Sequence, residues 1–462
     1  ATAADEELSP LVKAIAPSTT IEIHALTMRL REMGEEVISL SVGEPDFAPP
    51  TEVLEATAAA ARSGETRYTA VTGTKELREA VATYLKEKKG TAYDAADVVV
   101  TNGAKQAVYE AVLAACGPGD EVVIPKPYWV SYPEIVKMAG ATPVFVETFL
   151  DDGYKLKPEN LRKVLTRRTK MVVLCNPCNP TGACLDEAEL KAIDDVLDDN
   201  IWVLADEIYE RLYYDDDATE TRRRRAPSFA AVSEKAKNRS IIVNGFSKAF
   251  GMTGYRLGYL AAPAALAKAA AKIQGQITSC ASSVSQAAGV AALKLDDAAL
   301  DGHVANFKSR RDFVLRRLAE MAHKTRRLSP PPEPPGGAFY VLPEVDACFG
   351  MEAWPRDFTM PHYIIDGSTS FCGALLQNRK LALVPGDAFG APNAIRISYA
   401  ASQDTLEQAM DALEAFLYQD LYIASYDDDD EDLDDGSSFS EDDRIIGGEA
   451  DYPSFGPPNK GR

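Results

Sequence analysis

The 462-residue sequence is poor in the side chains that bind metals, with only four histidines and seven cysteines. The cysteines are scattered and odd in number, which favours reduced thiols in an intracellular compartment over a disulfide framework. Cys175 and Cys178 have C-x-x-C spacing, but no second pair follows, so the spacing is a weak indication of a redox or zinc site. The sequence therefore predicts no metal centre.

The sequence also lacks an apolar run of the roughly 18 residues that a membrane span needs, which excludes a transmembrane protein. Its 49 Lys and Arg against 70 Asp and Glu give a net charge of −21, which argues against a nucleic-acid surface. Residues 427–443 hold much of the acid excess, and we expect residues 426–462 to form an acidic disordered tail. The arginine run at residues 222–225 is typical of a solvated loop.

An alternation of helical patterns and short β-rich runs occupies residues 50–300. Residues 75–88 repeat apolar positions every three or four residues, as an amphipathic helix does. Continuous apolar runs separated by helical stretches predict βαβ units and a mainly parallel sheet covered on both faces. These runs lie at residues 120–127, 142–148, 170–177, 201–209 and 240–248. Ligands of such sheets bind at the carboxyl ends of the strands.

A second region follows the predicted sheet. It contains a long amphipathic helix at residues 303–321, short strands, and a last helix at residues 402–419. We therefore predict an α/β protein with two domains. A large domain would comprise residues 45–300, and a smaller α+β domain would comprise residues 1–44 and 301–425.

Lys248, directly after an apolar run, is the strongest single indication of chemistry. A buried ammonium is costly unless it is paired or used covalently, and desolvation lowers its pKa toward that of a Schiff-base-forming amine. Arg256 follows nearby among Gly251, Gly254 and Gly258, which let the backbone approach a ligand closely. An amine and a guanidinium so placed suit a phosphorylated carbonyl compound, although a lysine after a strand is more often a surface residue.

Other polar residues also follow apolar runs. Asp206 and Tyr209 could both face a ligand. Alternatively, Asp206 could be a helix N-cap and the residues up to Tyr209 could lie at the surface. Asn179 lies in a turn stiffened by two Asn-Pro steps. The small residues at 102–105 open a helix whose N-terminus suits phosphate. Arg396 interrupts an apolar strand, which indicates either an anion clamp or an internal ion pair.

Together these motifs resemble the fold-type I, pyridoxal-phosphate-dependent class I aminotransferases over about residues 8–420. Within that class, the sequence is most similar to the plastid-type and bacterial aspartate aminotransferases that also transaminate prephenate. The motifs that carry this similarity are VGEPDF, TRYT, NGAKQ, NPTG, DEIYE, SKAFGMTGYRLG and VPGDAFG. The resemblance implies transfer of an amino group between aspartate or glutamate and a 2-oxo acid (oxaloacetate, 2-oxoglutarate or prephenate) in amino-acid biosynthesis. It also implies a homodimer with shared active sites, in the plastid stroma or, as in the bacterial relatives, the cytoplasm.

The resemblance assigns the cofactor contacts to particular residues. Lys248 would hold pyridoxal 5'-phosphate covalently and move the substrate proton, while Asp206 would keep the pyridine nitrogen protonated. Tyr209 and Asn179 would hydrogen-bond the ring hydroxyl, and Trp129 would stack on the ring. The phosphate-binding positions match Gly103, Ala104, Lys105, Arg256 and Tyr68, the last reaching the neighbouring subunit.

The resemblance also assigns the substrate contacts. The α-carboxylate would bind at Gly43 and Arg396, with Trp129 and Asn179 beside it. Ala16 stands where many relatives have a lysine associated with the distal carboxyl group of a dicarboxylate. A class I aminotransferase for aromatic or neutral amino acids is therefore an alternative, and a non-catalytic pyridoxal-phosphate-binding regulator is a remote one.

Overall fold

The computed structural model describes residues 8–214, 225–354 and 362–423. The helices are α1 (Pro10–Ala14), α2 (Thr19–Glu32), α3 (Thr51–Ser63), α4 (Lys75–Lys88), α5 (Ala104–Ala115), α6 (Ser131–Met138), α7 (Pro158–Val164), α8 (Glu187–Asp194), α9 (Glu234–Arg239), α10 (Ala264–Ile277), α11 (Ser283–Leu293), α12 (Asp301–Thr325), α13 (Ser368–Arg379) and α14 (Gln403–Ala415). The strands are β1 (Ile38–Ser39), β2 (Val98–Thr101), β3 (Glu121–Lys126), β4 (Thr142–Glu147), β5 (Thr169–Cys175), β6 (Trp202–Asp206), β7 (Ser240–Gly245), β8 (Gly258–Ala261), β9 (Tyr340–Val341), β10 (Met351–Ala353), β11 (Tyr363–Ile364), β12 (Leu381–Ala382), β13 (Val384–Pro385), β14 (Ile395–Ser398) and β15 (Leu421–Ile423).

Helix α4 shows how the local sequence sets an element. Thr74 caps its N-terminus by accepting a hydrogen bond from the Leu77 backbone N–H. Leu77, Val81 and Leu85, spaced by four residues, form its fully buried stripe. The helix predicted from this apolar spacing is confirmed.

Seven strands form the main sheet in the order β2-β8-β7-β6-β5-β3-β4. Strands β4, β3, β5, β6 and β7 pair in parallel, whereas β8 is antiparallel to both of its neighbours. Separate buried apolar clusters cover the two faces: α5 and α10 pack on one, and α4, α8 and α11 contribute to the other. The mainly parallel sheet between helices is therefore confirmed.

The later part of the chain forms smaller sheets around another core. Strand β14 pairs with β13 and β9 in a three-stranded antiparallel sheet, and β10 pairs with β11 and β15. Helices α12, α13 and α14 bury Leu318, Phe371 and Leu413 against them. Strand β1, from the N-terminal part of the chain, pairs in parallel with β12 of this region. The domain boundaries themselves stay predictions.

Arg225 corrects one expectation. The sequence favoured a solvated surface for residues 222–225, but Arg225 is only 4% exposed and forms an ion pair with Asp297. Its Nε donates to the Tyr84 hydroxyl at 3.0 Å, so side chains of the protein replace water around the guanidinium. The remainder of that run and the predicted tail at 426–462 lie outside the described residues. In the described ranges, none of the helices combines the length and apolar character required to cross a membrane.

Candidate active site

The carboxyl ends of β5, β6 and β7 meet at one edge of the sheet, where Cys175 is in register with Asp206. A cavity of about 350 Å³ opens at this edge. Ten of the twelve predicted site residues line it, namely Gly43, Ala104, Lys105, Trp129, Asn179, Asp206, Tyr209, Lys248, Arg256 and Arg396. The structure thus brings together residues that are far apart in sequence.

Lys248 lies just beyond β7, and its ammonium donates a hydrogen bond to the Gly43 carbonyl. The Nζ atom is 6.0 Å from the centre of the Tyr209 ring. Burial lowers the pKa of Lys248 to about 8, against the opposing charge of Glu44. A substantial fraction of this amine is therefore neutral, and hence nucleophilic, near pH 8.

Asp206 is the last residue of β6 and presents its carboxylate in the same cavity. Its Oδ2 accepts a hydrogen bond from the Tyr132 hydroxyl at 2.6 Å, and its Oδ1 accepts one from the Ile208 N–H at 3.2 Å. Burial raises the pKa of Asp206 to about 6, while these two hydrogen bonds act in the opposite direction. The following residues form a turn, so the alternative of a helix N-cap here is wrong.

Arg396 occupies β14 and is buried. It donates from Nη1 to the Asn179 side-chain oxygen at 3.0 Å and from Nη2 to the Ser41 carbonyl at 2.7 Å. The guanidinium carbon lies 4.5 Å from the Tyr340 ring centre and 4.9 Å from that of Phe389. Within the described residues it has no salt-bridge partner, and its buried Nε has no hydrogen-bond acceptor. This arrangement favours the anion clamp over an internal ion pair.

A cradle for an anion lies at the start of α5. Gly103 precedes this helix with φ +87°, and a Cβ added there would collide with the Arg256 guanidinium. A Cβ on Gly258 would lie 2.5 Å from the Ala104 nitrogen, so the start of β8 packs directly against the backbone at the start of α5. The backbone N–H groups of Ala104 and Lys105 at this helix N-terminus and the adjacent Arg256 together suit a phosphate dianion.

Sequence reasoning missed several residues that line the cavity, among them Tyr132 and Tyr340. The Tyr132 ring stands edge-on to Trp129, with centroids 5.2 Å apart, and its hydroxyl reaches Asp206. The Tyr340 hydroxyl hydrogen-bonds that of Tyr209 at 2.9 Å. The clustering of aromatic residues around Trp129 was the available signal for Tyr132, whereas Tyr340 comes from another sheet and had none.

Two predicted residues lie outside the cavity lining. Gly103 lies next to the anion cradle, where its lack of a side chain leaves room for the Arg256 guanidinium. Tyr68 is 90% exposed, so within one chain it contacts no part of the site. The other residues provide an amine, a carboxylate, an aromatic wall and an anion cradle. This donor set fits a phosphorylated pyridine aldehyde, whose phosphate, ring nitrogen and aldehyde each have a matching partner.

The site and the fold define a class of protein. The family described as aminotransferase class I and II matches residues 35–413, and the chain belongs to this family. The resemblance predicted from the motifs is therefore confirmed, and the family implies dependence on pyridoxal phosphate.

Individual relatives are similar over most of their length. The aspartate aminotransferase of Pinus pinaster is 44% identical, with 89% of this chain and 81% of that protein covered. A bifunctional aspartate aminotransferase and glutamate/aspartate-prephenate aminotransferase of Petunia hybrida is 43% identical, with 89% and 83% covered. The crystal structure of the aspartate aminotransferase from Rhizobium meliloti superposes with a TM-score of 0.82 at 36% identity, covering 90% of this chain and all of that one.

Proposed function

We propose that this aminotransferase moves amino groups between aspartate or glutamate and the 2-oxo acids oxaloacetate, 2-oxoglutarate and prephenate. The observation that carries the proposal is Arg396, a buried guanidinium without a carboxylate partner in the described residues, in the same cavity as the buried amine of Lys248. A carboxylate clamp beside a nucleophilic amine suits an α-amino acid. The names of the Pinus and Petunia relatives support the substrates.

Different residues of the site serve different parts of a ping-pong reaction. When bound, pyridoxal phosphate supplies the electron sink for the negative charge that develops at the substrate α-carbon. Lys248 would hold the cofactor covalently through Nζ, and the same amine would take the substrate α-proton and return it. Asp206, through its negative charge, would hold the cofactor's ring nitrogen in its protonated form. Arg396 would bind the α-carboxylate and so orient the bond that breaks at the α-carbon.

Lys105 is the candidate cation for the distal carboxylate. Ala16 supplies no charge, and its backbone N–H donates to Glu134 at 2.9 Å. The Lys105 Nζ lies in the cavity, 5.0 Å from the Trp129 ring centre, and no salt bridge is found for it within the described ranges. Burial and the nearby Arg256 lower the pKa of Lys105, so an added carboxylate would relieve an unfavourable environment.

Steady-state transamination with glutamate as donor tests the substrate class. We expect oxaloacetate or prephenate to exceed phenylpyruvate in kcat/KM by at least about tenfold, since a charged hydrogen bond contributes roughly 1.5–3 kcal/mol. Preference for phenylpyruvate would instead establish the aromatic alternative, with fold and family unchanged.

Substitution of Lys105 by methionine tests the source of that selectivity. We expect kcat/KM for oxaloacetate to fall about 30-fold, and that for phenylpyruvate to change less than about threefold. Lys126→Met, which removes a lysine paired with Glu147 outside the cavity lining, is the matched control. If Lys105→Met instead weakens pyridoxal phosphate binding and lowers both substrates equally, Lys105 serves the phosphate and not the substrate.

We further propose a homodimer in which Tyr68 reaches the partner's phosphate site. Its 90% exposure, with Val71 and Ile277 also exposed at 37% and 47%, supports a surface that a second chain covers. The plant origin of two relatives supports plastid residence.

A further inference from the structure

Two thiols meet in the turn that follows β5. Cys175 ends the strand, and its thiol lies beside that of Cys178, three residues further on. The Cys175 thiol donates to the Pro177 carbonyl at 3.3 Å, and the Cys178 thiol donates to the Pro127 carbonyl at 4.0 Å. The turn is fixed by backbone hydrogen bonds from Cys178 N–H to Ala183 and from Gly182 N–H to the Cys178 carbonyl, at 2.9 and 2.8 Å. Both cysteines are half-buried and line one small cavity of about 40 Å³ beside the end of β3.

The two thiols differ in their readiness to ionise. The neighbouring Cys175 thiol and the hydroxyl and backbone of Thr181 lower the pKa of Cys178, although burial acts in the opposite direction. The same thiol contact and burial raise the pKa of Cys175. Thr181 therefore stabilises a thiolate at Cys178, and Cys175 is the neighbouring thiol that can resolve a mixed disulfide.

Each cysteine of this pair is linked to a residue of the active site. Cys175 lines the active-site cavity and lies beside the Tyr132 hydroxyl, which donates its hydrogen bond to Asp206. Cys178 directly precedes Asn179, whose side-chain oxygen accepts from Arg396. Drawing the sulfurs together into an S–S bond of about 2.05 Å would move the Cys175 and Cys178 backbones and, with them, Tyr132 and Asn179.

We propose that Cys175 and Cys178 are a redox modification site, and that their oxidation to a disulfide lowers aminotransferase activity; the second part rests on the proposed function. The oxidant is a small-molecule or protein disulfide. The Cys178 thiolate attacks it, one S–S bond breaks, and one thiolate leaves. Cys175 then loses its proton, attacks the mixed disulfide and releases the second thiolate. Two cysteines are oxidised, and one external disulfide is reduced to two thiols.

The test uses the holoenzyme, first reduced, assayed and freed of reductant, then incubated with oxidised glutathione. Alkylation and mass spectrometry of the peptide containing residues 171–191 should show loss of two hydrogens across Cys175 and Cys178, with Cys184 still alkylated. Activity should fall about tenfold or more, since small misplacements of catalytic groups cost that much, and should return with dithiothreitol.

Variants separate this site from other thiols. Cys178→Ser should retain its activity in oxidised glutathione, whereas Cys184→Ser, a matched control in the same loop, should lose activity as the wild type does. The proposal is overturned if both thiols stay alkylatable after oxidation, if Cys178→Ser is inactivated equally, or if the disulfide forms without loss of activity. Inactivity of the fully reduced enzyme would count against the proposed function, while the mass readout would still report on disulfide formation.

Discussion

Lys248→Ala is expected to abolish transamination between glutamate and oxaloacetate, with kcat falling at least about 10⁴-fold. The variant loses both the covalent attachment point and the group that carries the proton, and general acid–base catalysis by itself contributes roughly 10²–10⁴. Lys268→Ala, which changes an exposed lysine of α10, is the matched control and should keep its full activity. Retention of more than about one per cent of kcat by Lys248→Ala would rule out the role assigned to this amine.

The same amine gives an expected pH dependence. Its pKa of about 8 means that the neutral, nucleophilic form increases as the pH rises through 8. Capture of pyridoxal phosphate by the apoenzyme, followed by visible absorbance, should therefore accelerate from pH 7 to pH 9 and then level off. A rate that is constant over this range would show that another group limits the capture.

Asp206→Asn is expected to lower kcat about 10³-fold, or ~4 kcal/mol, with a much smaller change in KM. The amide keeps the shape of the carboxylate but supplies no negative charge, and the charge matters most when electrons move into the ring. Absorbance spectra and the dissociation constant of pyridoxal phosphate give a readout that does not depend on turnover. Equal losses in kcat and in kcat/KM for a folded Asp206→Ala would agree with this role, whereas full activity in Asp206→Asn would refute it.

Tyr132→Phe provides the graded comparison for Asp206. The Tyr132 hydroxyl favours the ionised carboxylate, so its removal should raise the pKa of Asp206 and move the acidic limb of the kcat profile to higher pH. We expect kcat of Tyr132→Phe to fall about tenfold, which places this variant between the wild type and Asp206→Asn. Tyr93→Phe, which removes a hydroxyl bonded to the Lys237 carbonyl instead, controls for loss of a buried hydrogen bond.

Some features followed from local sequence. Continuous apolar runs predicted the parallel strands, and polar residues directly after them had to lie at one sheet edge because parallel strands end together. Lys248 and Asp206 were placed by this rule. Arg396 stood out because a guanidinium in an apolar strand is costly without a partner. The family followed from the order of these motifs.

The tertiary structure decided which distant side chains became partners. Tyr132 bonds Asp206 across 74 residues and Tyr340 bonds Tyr209 across 131, contacts for which the chain carries no local pattern. Arg225 looked like part of a solvated run, yet packing placed it against Asp297.

The sequence by itself therefore determined the family, through the motifs that resemble it. It also determined the sheet and the residues at its edge, since these depend on short-range apolar periodicity and on residue type. Only the folded chain decided that Lys105 lines the cavity with no salt bridge to any residue that the structure describes, and that Cys175 lies in register with Asp206. Those contacts depend on how separate strands, helices and turns pack, and packing is set by the complementary shapes of many side chains at once.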